Sequence, residues 1–65
     1  MEILTWQARN NKHITLVNLS AKCGISKSTL NNIENGKVAP TIYQLEAIAK
    51  ALGVRISELY ESRYK

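Results

Sequence analysis

The sequence predicts an all-α fold of five short helices. Three observations carry that expectation. Apolar residues recur at spacings of three and four through most of the chain, which is the period of one helix face. Hydroxyl residues suited to cap a helix start stand before such segments, at Thr15, Ser26, Thr41 and Ser57. Breakers are scarce, and the one proline and three glycines all fall between the segments.

The first segment runs from Met1 to about Asn11. Met1, Leu4, Thr5 and Ala8 share one side, whereas Ile3 and Trp6 lie off that stripe. Trp6 has two readings. It packs against the last helix beside Tyr60 or Tyr64, or it is an exposed anchor for a partner chain. Asn10 to His13 form a polar connector. His13 has no second ligand near it in sequence, so no metal or catalytic role is expected of it.

Ile14 turns inward and Thr15 caps a second helix from Leu16 to Lys22 or Cys23. Leu19 and Cys23 are four apart on its inner face. Gly24 stands where the chain must reverse, because glycine takes a left-handed conformation without steric cost. Ile25 plugs the angle of the turn, and Ser20 is small where two crossing helices come closest. Ser26 caps a third helix that runs to Glu34 or Asn35, with Gly36 as its stop and Leu30 and Ile33 facing in. Its other face carries Lys27, Ser28, Asn31, Asn32 and Asn35. Amides, a hydroxyl and an ammonium can donate to and accept from base edges in a DNA major groove.

Val38-Ala39-Pro40 is a stiff linker that either approaches sugar and phosphate or packs under the next helix. Thr41 and Gln44 form a capping box for a fourth helix. Ile42, Leu45, Ile48, Ala49 and Leu52 give it a broad apolar stripe, and Gly53 ends it. Val54 and Ile56 turn inward, and Ser57 caps a fifth helix with Leu59 inside. Tyr60 and Tyr64 are four apart and cover the first helix or meet a second subunit.

Sixty-five residues make one domain, expected over 1–65. A chain this short buries only about 60% of its unfolded surface, so its margin of stability is small. No apolar run approaches the ~18 residues of a membrane span, and no signal peptide opens the chain. One cysteine forms no internal disulfide, and Cys23 reads as a small core residue. A cytoplasmic location is expected. The net charge is +4 and aspartate is absent. From Lys12 to Lys37 four lysines face one acid, Glu34, which suits a polyanionic partner. One histidine, one cysteine, no aspartate and no glycine-rich phosphate loop argue against an enzyme, and no cofactor is expected.

The stretch from Leu16 to Lys37 resembles the helix-turn-helix of the Cro/CI-type (XRE-like) repressors of phages and bacteria. The resemblance rests on Ser20, Gly24, the apolar positions Leu19, Cys23, Ile25, Leu30 and Ile33, and the closing IENGK of Ile33 to Lys37. It extends more loosely through KALGV at Lys50 to Val54. It implies a five-helix lambda-repressor-like domain and a transcriptional repressor that reads double-stranded DNA with its third helix. Carried over by position, Lys27, Ser28 and Asn32 are the base readers, with Asn31 a secondary candidate. Thr15, Asn35, Lys37 and Arg9 meet the DNA backbone, and Arg9 pairs with Glu34 to pin the first helix to the third. A homodimer on the operator is expected, with no small-molecule ligand and no ligand-sensing or cleavage module. Three positions depart from the family: Thr5, usually a larger aliphatic residue, Trp6, commonly polar, and Leu16, often a glutamine that helps to hold the DNA backbone. The same frame also serves small antitoxins and protein-interaction modules, which is the alternative reading.

Overall fold

In a computed structural model covering residues 1–65, hydroxyl caps open three of the helices and left-handed glycines close two of them. The elements are β1 (Glu2–Ile3), α1 (Thr5–Asn11), α2 (Leu16–Cys23), α3 (Lys27–Glu34), α4 (Ile42–Leu52), a single-turn 3-10 helix (Ile56–Leu59) and β2 (Tyr60–Glu61). Thr41 Oγ1 accepts from the Gln44 N–H at 3.1 Å while Gln44 Oε1 accepts from the Thr41 N–H at 2.9 Å, a complete capping box. Gly24 and Gly53 close α2 and α4 at φ of 75° and 70°.

The core joins Leu19 of α2, Leu30 of α3, Leu45, Ile48, Ala49 and Leu52 of α4, and Leu59 of the 3-10 helix, all buried. Cys23, Ile25, Ile14 and Leu16 are half-buried against it. α4 lies at the centre, with α1, α2 and the 3-10 helix against it. No helix is long and apolar enough to cross a membrane.

Four expectations are corrected. There are four α-helices, not five. The segment after Gly53 makes one 3-10 turn, capped by the Glu58 carboxylate on the Arg55 N–H at 2.7 Å rather than by Ser57. It stops there because Leu59 gives its carbonyl to the Leu4 N–H at 2.8 Å, and Tyr60 and Glu61 enter an antiparallel ladder with Ile3 and Glu2. The same ladder removes Met1 to Leu4 from the first helix, which begins at Thr5, and Met1 is exposed. Ile42 does not join the α4 stripe. The first turn of that helix projects past the core, leaving Ile42 and Tyr43 outside. Trp6 is 53% exposed, and Tyr64 is exposed with the Arg63 guanidinium over its ring.

Candidate nucleic-acid interface

The two helices of the central motif are locked at their ends before they touch anything else. Thr15 Oγ1 accepts from the Asn18 N–H at 3.1 Å and starts α2. At the turn, Ser20 Oγ donates to the Ile25 carbonyl at 2.7 Å. A residue chosen by size at a close crossing thus also ties α2 to the backbone leading into α3, a bond that spacing alone does not reveal. Ser26 Oγ accepts from the Thr29 N–H at 3.2 Å and donates to Thr29 Oγ1 at 2.9 Å, so α3 has a defined first turn.

Leu30 and Ile33, both nearly inaccessible, anchor α3 to the body. The opposite side stays open. Lys27, Ser28 and Asn31 are exposed and Asn32 is half-buried. None of these four side chains is spent on an intramolecular hydrogen bond. They form a polar ridge on a helix held rigid from behind, with donors and acceptors available to a partner.

Beyond α3 the chain doubles back. The Asn32 carbonyl accepts from the Lys37 N–H at 2.9 Å, Asn35 caps the helix in an ordinary helical conformation, and Gly36 takes φ 74°. Asn35 and Lys37 stand exposed at this corner. None of the four α-helices carries an acidic residue in its first turn, so their N-terminal partial positive charges are not neutralised from within.

Arg9 lies behind the ridge. Its Nε donates to Glu34 Oε2 at 2.7 Å, its Nη2 to Glu34 Oε1 at 3.1 Å, and its Nη1 to the Ile14 carbonyl at 2.9 Å. One guanidinium therefore joins α1, the end of α3 and the α1–α2 turn. The Ile14 bond carries no signal in the sequence, because the acceptor is backbone. A second feature missed by pattern is His13, whose backbone sits at φ 56°. No three His, Cys, Asp or Glu side chains converge on one point.

The profile of the helix-turn-helix family matches residues 7–59. The chain is 37% identical over 51 residues to an immunity repressor protein of Bacillus phage phi105, a match that takes in 78% of this chain but only 35% of that repressor. It thus spans about a third of the length of that relative. In three dimensions it superposes on the N-terminal DNA binding domain of SinR from Bacillus subtilis with a TM-score of 0.80 and 31% identity, over 94% of this chain and 90% of that one. With its locked α2–turn–α3 pair, this chain belongs to the Cro/CI-type (XRE-like) helix-turn-helix family.

Proposed function

We propose that this chain binds double-stranded DNA in a sequence-specific way and represses transcription, with α3 seated in the major groove. The observation that carries the reading is the open ridge of α3, polar, unbonded and backed by the buried Leu30 and Ile33. Lys27, Ser28 and Asn32 read bases, with Asn31 beside them. Lysine suits guanine O6 and N7, and asparagine suits adenine N6 and N7. Thr15, Asn35 and Lys37 meet the phosphate backbone. Arg9 chiefly holds Glu34 and Ile14, which leaves two of its five N–H groups for a phosphate.

One reading helix touches few base pairs. A homodimer on two half-sites about 34 Å apart multiplies affinity and specificity. Selection of bound sequences from a random duplex pool tests the whole reading at once. The expected outcome is an enriched inverted repeat. No enrichment at all would remove the assignment to DNA.

A protein-interaction module is the second reading, favoured by the exposed Trp6, Tyr43 and Tyr64. Salt separates the two. Binding to phosphates falls steeply as salt rises, whereas an apolar interface is little affected.

A further inference from the structure

Seven large hydrophobic side chains stand exposed, and four of them belong to one part of the molecule. Trp6 lies on α1, Val17 on α2 and Tyr64 in the C-terminal turn, one to an element, which is ordinary for a protein surface. Val38, Ile42 and Tyr43 instead share one short run of chain, and Met1 joins that run across a cleft of about 400 Å³. Met1 and Ile3 line the cleft from the N-terminal side, and Val38, Ala39 and Pro40 line it from the linker into α4. The fold makes no use of these exposed groups. Thr41 and Gln44 cap α4 between themselves, and Leu45, Ile48, Ala49 and Leu52 anchor it, so Ile42 and Tyr43 pack against nothing within the chain.

Charge is sparse along this surface. Glu34 reaches the cleft with its carboxylate held by Arg9, and Glu2 is the one lining residue whose charge has no partner. Depletion of charge at an apolar centre is the pattern of a protein interface. The surface also adjoins the end of α3, since Asn35 and Gly36 line the same cleft.

That position selects the occupant, given the DNA-binding reading above and its paired half-sites. Two copies of α3 about 34 Å apart on one duplex belong to chains measuring 31 × 23 × 19 Å. Chains of that size meet edge to edge, through the surface beyond one end of the reading helix. The turn before α3 exposes Gly24 and Ser26, which offer little to bury. The surface after it exposes Val38, Ile42 and Tyr43. We infer that Met1, Val38, Ala39, Ile42 and Tyr43 form the face on which a second copy of this chain packs, with Tyr43 as its aromatic anchor. A two-fold contact uses the same patch on both copies, and an apolar patch is complementary to itself. A stable interface takes roughly 20–30 residues a side. This patch is smaller, so the free dimer is weak, and DNA tightens it by holding two copies together.

The test compares the natural chain with Ile42→Glu, Tyr43→Ser and, as a control on α1, Trp6→Ser. Ile42 opens α4, where an acid favours the helix, so Ile42→Glu leaves the monomer folded, while in the dimer it sets carboxylates into apolar contact. Sedimentation equilibrium is run on each protein up to about 1 mM, a range that populates a weak interface, and thermal melting of dilute samples checks folding. The natural chain and Trp6→Ser are expected to approach dimer, whereas Ile42→Glu and Tyr43→Ser stay monomeric with melting unchanged. On a duplex recovered from the pool selection, Tyr43→Ser should lose on the order of 100-fold in affinity, and nothing on the same duplex with one half-site scrambled. A natural chain that stays monomeric, or face variants that still dimerise, would overturn the inference. So would an equal loss on one half-site and on two, which would make Tyr43 a DNA contact. A chain that dimerises through this face yet enriches no duplex would keep the face and bring down the DNA-binding reading instead.

Discussion

Arg9 and Glu34, twenty-five residues apart, meet through two parallel bonds of 2.7 and 3.1 Å, with side chains only 12% and 4% exposed. Two-pronged geometry and burial together set this contact apart from a surface ion pair. Removing one partner leaves a charge largely out of water. Glu34→Ala or Arg9→Ala should each lower stability by about 3 kcal/mol or more, measured by urea unfolding. Arg9→Lys should recover only part of the loss, because an ammonium cannot hold both carboxylate oxygens and the Ile14 carbonyl in one plane. Losses below about 1 kcal/mol would place the pair among ordinary surface bridges.

Thr5 is 1% exposed and its hydroxyl has no hydrogen-bond partner. An unpaired buried hydroxyl forgoes its hydration without compensation. Thr5→Val keeps the branched shape and removes the polar atom. Stability should rise by about 1 kcal/mol, read as a higher urea midpoint with an unchanged slope. A fall would mean that the hydroxyl has a partner, such as a bound water.

In the ladder, Glu2 stands directly opposite Glu61. Like charges facing across an antiparallel pair are destabilising. Glu61 is relieved in part by Lys65, 3.7 Å away. Glu2→Lys should raise stability by about 0.2–1 kcal/mol at low salt, and the gain should shrink as salt screens it. A salt-independent change would point to packing rather than charge.

Asn32→Ala should weaken binding to the selected DNA site by about 1–3 kcal/mol and relax the preference at one base pair. The readout is a repeat of the pool selection with the variant. An unchanged motif would take Asn32 out of the reading set.

Lys37→Ala should weaken binding to all duplexes alike and flatten the salt slope by about 1. Titration of specific and mixed-sequence DNA at several salt concentrations measures both. A shift in sequence preference would move Lys37 from the backbone to the bases.

The sequence displayed most of the core because helix periodicity is local. Leu19, Leu30, Leu45, Ile48, Leu52 and Leu59 each fall inside as their spacing requires. Caps at Thr15, Ser26 and Thr41 were equally legible, since each acts within three residues of itself. What could not be read depends on distant partners. Ile3 and Tyr60 pair across nearly the whole chain, and that pairing shortens the first helix and ends the last. Ile42 keeps perfect stripe spacing but lies beyond the edge of the body, and periodicity does not register where a core stops. At the candidate site, residue types marked the ridge of α3, whereas the Arg9 bond to the Ile14 carbonyl and the backbone of His13 left no trace in side-chain pattern.

The small ladder between Glu2–Ile3 and Tyr60–Glu61 has a kinetic consequence. Helices that recruit their neighbours can assemble quickly, whereas closing a loop around almost all of the polypeptide is entropically the slowest step. The clasp should therefore form last and, holding so few backbone bonds, open first. Amide hydrogens at Ile3 and Tyr60 should then exchange with solvent long before those of Leu19 or Ile48, so that the molecule breathes at its seam while the motif at its centre keeps its shape.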